Sequence, residues 1–201
     1  MSGAVGKIKG KRRELDAYYT PNSLATALVG LLPIEPGDTA LEPNAGGGAF
    51  VRALNAAGAI VSANDLNPNA KGLKHAKQTK VGDFLLSEWD DRPKWVVGNP
   101  PYKGAEQQVL HALRIGDRHV AMLLRLGFLA GRRRANSIWS RGDLRHVWVL
   151  SQRPSFTGGG TDASEYGFFW WDKQHGGDAS ISWFQARNKN QMILGGKKRL
   201  F

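Results

Sequence analysis

The segment Asn99-Pro-Pro-Tyr102 has the residue types needed to hold a planar amino group. Two successive prolines restrict φ twice and remove two N–H donors, which makes a rigid corner whose carbonyl oxygens can face a ligand. The side-chain oxygen of Asn99 and the carbonyl oxygen of Pro100 could then accept both hydrogens of an amino group. Tyr102 could stack on the ring that carries this group. The segment therefore predicts chemistry on an exocyclic amino nitrogen.

A glycine-rich segment, Glu42-Pro-Asn-Ala-Gly-Gly-Gly48, follows a short apolar run and precedes a helical pattern. Glycine allows positive φ and close approach of the backbone, so this turn could wrap a ligand at a helix N-terminus. It matches neither the dinucleotide pattern G-x-G-x-x-G nor a phosphate-binding loop, because no Gly-Lys-Ser or Gly-Lys-Thr follows. Taken alone, three glycines are more typical of a tight strand–helix turn.

Two acidic positions follow the next predicted strands. Asp65 could accept hydrogen bonds from both ribose hydroxyls of an adenosine ligand, or could equally form a turn before Asn67-Pro68. Asp83 and Phe84 could bracket an adenine, with the carboxylate accepting from its amino group and the ring packing on its face. These positions predict an adenosine-containing ligand only in combination with the glycine-rich turn.

The apolar pattern predicts elements that would bring these segments together. Strands and helices alternate through the first two thirds of the chain, which indicates a doubly wound parallel sheet with right-handed crossovers. Consecutive strands then predict a hairpin at one edge, with Phe168 to Trp171 and Trp183 expected in the core. Ligands of such sheets bind at the carboxyl ends of the strands, where each segment above is expected. The predicted strands cover 39–41, 59–63, 94–97, 119–126, 146–150, 166–171 and 180–184.

The composition excludes several classes of chemistry and favours a polyanionic partner. The 201 residues contain no Cys, so disulfides, thiolate zinc sites and a cysteine nucleophile are excluded. The five His residues show no metal-ligand spacing, and no metal is expected. A formal charge of +11 favours nucleic acid. The basic residues cluster as Lys7, Lys9, Lys11, Arg12 and Arg13, as Arg132, Arg133 and Arg134, and as Lys197, Lys198 and Arg199.

The same reading predicts a cytoplasmic protein without a membrane partner. The N-terminus lacks an apolar signal region, and no segment reaches the roughly 20 apolar residues that span a bilayer. We expect residues 1–17 to form a flexible basic arm and residues 18–201 to form one domain, as a monomer or homodimer.

Together, these residues resemble the amino-methyltransferase branch of the class I S-adenosylmethionine-dependent enzymes, most closely the small N6-adenine DNA methyltransferases. The resemblance covers roughly residues 18–172. It implies an α/β fold with a doubly wound, Rossmann-like, seven-stranded mixed sheet and a reversed C-terminal hairpin. It rests on Tyr19-Thr20-Pro21, Glu42-Pro-Asn-Ala-Gly-Gly-Gly-Ala-Phe50, Asp65, Asp83-Phe84 and Asn99-Pro-Pro-Tyr102.

The resemblance implies S-adenosyl-L-methionine as cofactor and assigns residues to its parts. Thr20 and the glycine-rich turn would hold the methionine moiety, with Glu42 supporting the turn or the cofactor amino group. Asp65 would bind the ribose, while Asp83 and Phe84 would hold the adenine. The implied cofactor-binding residues are Thr20, Glu42, Asn44, Gly46, Gly48, Asp65, Asp83 and Phe84.

On the substrate side, the resemblance implies a site-specific, adenine-specific DNA methyltransferase that flips its target base. Asn99 and Pro100 would bind the target amino group and, with Tyr102 stacked on the base, would form the catalytic set. Phe156, in Arg153-Pro-Ser-Phe156, matches a second aromatic contact to the base. Phosphate contacts are expected from Arg132, Arg133 and Arg134.

Two departures from the family keep other functions open. Asn44 replaces a small hydroxyl residue, and only 127–145 and 173–201 are available for recognising a DNA sequence, so specificity should be short or weak, or depend on a dimer or partner chain. The alternatives are N6-adenine methylation of RNA, then methylation of a glutamine amide in a protein, then a catalytically silent nucleic-acid-binding protein.

Overall fold

An eight-stranded mixed sheet forms the centre of the computed structural model, which describes residues 19–156 and 163–185. The arm predicted at 1–17 lies outside these residues. The strands are β1 (Thr39–Glu42), β2 (Ile60–Asp65), β3 (Gln78–Val81), β4 (Trp95–Gly98), β5 (His119–Arg125), β6 (Leu144–Leu150), β7 (Tyr166–Asp172) and β8 (Ser180–Phe184). The helices are α1 (Asn22–Val29), α2 (Ala49–Ala56), α3 (Ala105–Ile115) and α4 (Arg132–Ser137). No helix within the described ranges is long and apolar enough to cross a membrane.

Five neighbouring strands are parallel, in the order β3-β2-β1-β4-β5. β7 lies antiparallel between β5 and β6, which forms the reversed hairpin expected from the sequence. β8 then pairs in parallel with β6 at the outer edge of the sheet. The expected count of seven strands is therefore corrected to eight, because β8 satisfies the open edge of β6 and buries Phe184 in the core.

Hydrophobic clusters cover both faces of the sheet. On one face, α1 and α2 pack through Leu28, Phe50 and Leu54, and on the other α3 packs through Val109 and Leu113. This arrangement follows from the sequence, since a strand buried on both faces needs a near-continuous apolar run such as that of β5. The two layers fix the carboxyl ends of β1, β2 and β4 relative to one another.

The aromatic residues near the C-terminus are divided between core and surface. Phe168, Phe169 and Trp171 are fully buried in β7, as expected from their position in an internal strand. The expectation was wrong for Trp183, which is 55% exposed. Since β8 is the edge strand and its side chains alternate between faces, Phe184 turns into the core while Trp183 faces away from it.

Candidate active site

A pocket with about 300 Å³ of empty space opens at the carboxyl edge of the parallel strands. Of the residues predicted to bind a cofactor, Thr20, Glu42, Asn44 and Gly46 line this pocket, and Asn99 lines it from the substrate side. The other lining residues are Tyr19, Ala45, Gly47, Ala49 and Phe50. The β1–β2 and β1–β4 pairings bring together segments that are up to 79 residues apart in sequence.

The glycine-rich turn is held by the segment that follows β2. Gly48 has φ of 82° and begins α2, and a Cβ at this position would lie 2.8 Å from the Cα of Gly72. The N–H of Gly72 donates to the carbonyl oxygen of Gly46 at 2.9 Å. A Cβ on Gly72 would in turn lie 2.5 Å from the carbonyl oxygen of Ala45. Both close approaches require glycine, so the turn has one well-defined shape.

Asp65, at the end of β2, shapes this turn through its carboxylate. One oxygen accepts the N–H of Gly46 at 2.7 Å, and the other accepts the N–H of Asn67 at 2.8 Å. The second bond is the turn that the sequence left open as an alternative. A carboxylate oxygen can accept more than one hydrogen bond, so the predicted contact with a ribose stays compatible with both bonds.

Glu42 is a buried carboxyl group beneath the pocket. Its side chain is 2% exposed, and Oε1 accepts the N–H of Asn44 at 3.0 Å. A Cβ on Gly98 would lie 2.2 Å from Oε1, so glycine at the end of β4 is what makes room for the carboxyl group. Burial raises the pKa of Glu42 to about 8, with a further contribution from the Asp65 carboxylate, while the Asn44 N–H opposes the rise. A cationic group entering the pocket would reverse this effect.

Asn99 lies where the predicted cofactor and substrate regions meet. Its Nδ2 donates to the Thr20 hydroxyl at 3.1 Å, which fixes the orientation of the amide. Within the part of the chain that the structure describes, the buried Oδ1 of Asn99 has no hydrogen-bond partner, and neither has the buried Oδ1 of Asn44. A buried acceptor left unpaired is costly, so both oxygens are suited to receive donors from bound ligands.

Tyr102 and Phe156, which were predicted to contact a target base, belong to one aromatic group. Their ring centroids are 6.5 Å apart, and Tyr166 at the start of β7 lies 5.5 Å from Tyr102 and 5.1 Å from Phe156. Burial raises the pKa of the Tyr102 phenol above its ordinary value, and Tyr166 adds to this rise. The guanidinium carbon of Arg125 lies 4.6 Å from the Tyr102 ring centroid. Pro100 is buried beside them.

Asp83 and Phe84 lie apart from the residues that line the pocket. Asp83 caps a short 3-10 helix by accepting the N–H of Leu85 at 2.9 Å. The ring of Phe84 is 2% exposed and packs edge-on against His111, with centroids 4.7 Å apart. The structure thus places this aromatic ring in the core beneath α3, and its predicted contact with adenine remains a prediction.

The three consecutive arginines of α4 have different surroundings. The Nε of Arg133 donates to Oε1 of the buried Glu106 at 2.7 Å. The Nε of Arg134 donates to the carbonyl oxygen of Phe128 at 2.8 Å. Arg132 is exposed. The structure therefore engages two of the three guanidinium groups in contacts within the protein, and Arg132 is the best placed of the three to meet a phosphate.

The sequence reasoning missed two neighbours of these groups. The ring of Tyr19 lies over the turn, where a Cβ on Gly47 would be 3.0 Å from its Cδ1. Arg125, the last residue of β5, covers Tyr102. An available signal for Arg125 was a lone charged residue at the end of a buried strand, which places its side chain at the ligand-binding edge.

No protein-family model matches the chain. Among curated proteins, the Type II methyltransferase M.TthHB8I of Thermus thermophilus is 33% identical over 108 residues. This match covers 51% of the chain and 25% of that protein, so the chain spans about a quarter of its relative's length.

Two solved structures share the architecture. PH1948 of Pyrococcus horikoshii, a candidate RNA methyltransferase, has a TM-score of 0.66 and 18% identity over 83% of this chain and 93% of its own. The M protein of the type I restriction enzyme EcoKI has a TM-score of 0.63 and 13% identity over 86% of this chain and 49% of its own. At these identities the likeness shows the fold, and the predicted α/β fold class is confirmed.

Proposed function

We propose that this chain, which has the fold of the class I S-adenosylmethionine-dependent methyltransferases, transfers a methyl group to N6 of adenine in DNA. The observation that carries the proposal is Asn99, whose amide nitrogen is held by Thr20 while its buried oxygen is left as an acceptor at the pocket. An exocyclic amino group is the donor that this oxygen suits.

The pocket fits the methionine part of S-adenosyl-L-methionine. A buried carboxyl group at Glu42 and the unpaired Oδ1 of Asn44 suit an ammonium group, which donates hydrogen bonds and carries positive charge. The turn around Gly46 and Gly48 provides backbone at close range to a ligand. When bound, the cofactor's sulfonium supplies the methyl group. Asp65, at the neighbouring strand end, would take the ribose.

Asn99 and Pro100 would act on the target nitrogen. By accepting its two hydrogens, they would hold the lone pair toward the cofactor and stabilise positive charge as it develops on the nitrogen. These acceptors are preorganised because the two prolines restrict the backbone and Thr20 fixes the Asn99 amide. Removing one such preorganised partner typically costs about 100- to 1,000-fold in rate.

A base in a duplex must leave the stack to reach this site, which costs a few kcal/mol. Tyr102, with Phe156 beside it, offers an aromatic surface at the rim, and stacking on one aromatic ring returns about 1–3 kcal/mol. A formal charge of +11 favours a nucleic acid over a protein substrate. The match to a Type II methyltransferase supports DNA as the nucleic acid.

The test is methyl transfer from labelled S-adenosyl-L-methionine to duplex DNA, single-stranded DNA, RNA and a protein extract, each assayed separately. The nucleic acids are digested to nucleosides and analysed by mass. Asn99→Ala should lower formation of N6-methyldeoxyadenosine about 100- to 1,000-fold. Asn55→Ala is the matched control, because its Nδ2 also makes one hydrogen bond, to the His75 carbonyl oxygen at 2.8 Å, but outside the residues that line the pocket.

The outcomes separate the alternatives. N6-methyladenosine from RNA alone would move the substrate to RNA, and label in protein alone would move it to an amide of a protein side chain. No transfer to any substrate together with no binding of S-adenosyl-L-methionine by calorimetry would leave a silent nucleic-acid-binding protein. Equal loss of activity in Asn99→Ala and Asn55→Ala would contradict the assigned role of Asn99.

A further inference from the structure

Arg125 extends past the end of β4 and reaches the corner that carries Tyr102. The last residue of β4, Gly98, pairs with Met122 of β5. Continuing both strands by three residues brings Arg125 alongside Pro101, one residue before Tyr102. The guanidinium carbon lies 4.6 Å from the centroid of the tyrosine ring, within the range of a cation–π contact.

This contact covers a surface that the proposed function needs. A guanidinium group is planar and stacks on aromatic faces, as a nucleobase does. Phe156 and Tyr166 pack near the same ring, with an interplanar angle of 62° for Phe156 and 45° for Tyr166. Neither is therefore stacked in parallel on Tyr102, and Arg125 takes the stacking position. At an exposed site, such a contact favours the covered state by only about two- to fivefold.

We infer that Arg125 holds the base-stacking face of Tyr102 in the absence of DNA and binds a phosphate of the target strand when the flipped base displaces it. The inference rests on the proposed function, since it assigns Tyr102 to the target base. Base–aromatic stacking is stronger than an exposed cation–π contact, so the base wins the ring. Because arginine keeps its charge and matches phosphate geometry, a displaced Arg125 at the exposed rim would bind the backbone beside the flipped nucleotide.

The two roles predict effects of opposite sign when Arg125 is replaced. The test uses the full chain with its cofactor pocket filled by S-adenosylhomocysteine, so that an added nucleoside cannot bind there. Arg125→Met removes the charge and the planar group but keeps an extended side chain. Its affinity for 2′-deoxyadenosine, which has no phosphate, should rise about two- to fivefold because the ring is uncovered.

The affinity of Arg125→Met for a single-stranded DNA oligonucleotide should fall. The slope of log affinity against log salt concentration should become shallower by about 0.7, the value for one lost phosphate contact on a single strand. Arg125→Lys should keep the wild-type slope, since it keeps the charge. A merely structural role would lower both affinities together and would leave the salt slope unchanged.

Arg145→Met is the matched control. The guanidinium carbon of Arg145 lies 5.3 Å from the ring centroid of Trp170, so it also covers an aromatic ring. Arg145 is near the start of β6, at the opposite edge of the sheet from the pocket. Its replacement changes the net charge by the same amount and should alter neither the nucleoside affinity nor the salt slope.

An unchanged affinity of Arg125→Met for 2′-deoxyadenosine, including no measurable binding by either protein, overturns the inference, as does an unchanged salt slope. If wild type methylates adenine in DNA while Arg125→Met shows neither effect, the inference alone fails. If wild type methylates no nucleic acid, the proposed function fails, and this assignment of Tyr102 fails with it.

Discussion

The buried carboxyl group of Glu42 predicts an unusual dependence of stability on pH. Burial raises its pKa from the ordinary 4.5 to about 8, so the folded protein binds this proton more tightly than the unfolded chain. The contribution of the protonated carboxyl group is fully present below pH 4.5 and is lost as the pH rises through about 8. Each pH unit in this window lowers the free energy of unfolding by about 1.4 kcal/mol.

Glu42→Gln removes this titration while keeping an oxygen that can accept the Asn44 N–H. The variant and wild type should be equally stable below the lower end of the window. At pH 7 the variant should be more stable by about 3 kcal/mol, and above the window by about 5 kcal/mol. The assay is urea unfolding of the ligand-free protein at pH 4.5, 7 and 8.5, followed by circular dichroism.

Glu88→Gln serves as a control, because Glu88 is exposed and its replacement should change stability by less than about 0.5 kcal/mol. A difference between Glu42→Gln and wild type that stays constant with pH, or that grows toward acid, would refute the assignment of a buried, protonated Glu42. Either result would mean that the carboxylate is solvated or compensated in the folded protein.

The same group should couple cofactor binding to proton release. An ammonium group beside Glu42 favours its carboxylate, so binding of S-adenosyl-L-methionine at pH 7 should release close to one proton from this side chain. Calorimetry in two buffers of different ionisation enthalpy measures that number. Glu42→Gln should bind more weakly and release correspondingly fewer protons, and equal proton release in both proteins would contradict the coupling.

Three further predictions concern the turn, the arginines and the aromatic site. Gly48→Ala, with φ of 82° and a Cβ 2.8 Å from backbone, should lower the free energy of unfolding in urea by about 2–4 kcal/mol, whereas Gly37→Ala, with φ of 89° and open space, should lower it by about 1 kcal/mol; similar losses would contradict the close packing of the turn. Arg133→Met should destabilise the fold by about 1–3 kcal/mol because a buried carboxylate loses its partner, while Arg132→Met should leave the urea midpoint unchanged and reduce the salt dependence of DNA binding; the reverse pattern would show that Arg133 is the phosphate contact. Tyr102→Leu should lower kcat/KM for DNA about 5- to 150-fold with cofactor affinity unchanged, and an unaltered rate would exclude base stacking on this ring.

Much of the fold follows from local patterns. The alternation of apolar strands with helical periods predicted the parallel α/β sheet, and the run of late strands predicted the reversed hairpin. The eighth strand was read as a strand, but its place in the sheet was not. Strand order depends on which open edge accepts it, and that depends on residues distant in sequence, such as those of β6.

The candidate site was partly predictable for the same reason. Glu42, Asp65 and Asn99 each follow a strand, and the carboxyl ends of parallel neighbours must meet. What each side chain does there was less accessible, because it depends on long-range contacts. Asp65 accepts the N–H of Gly46, and Phe84 faces the core beneath α3, although both residues fit a ligand-binding pattern in the sequence.

The sequence by itself determined the kind of chemistry, because a rigid Asn99-Pro-Pro-Tyr102 corner and a glycine-rich turn constrain the backbone locally whatever surrounds them. Only the tertiary structure decided which groups remain available to a ligand. Arg133 is engaged by Glu106 and Arg125 covers Tyr102, whereas Asn99 is held by Thr20 with its oxygen left as an acceptor. The reason is that hydrogen-bond and stacking partners are assigned by sheet register and helix packing, which short-range patterns do not encode.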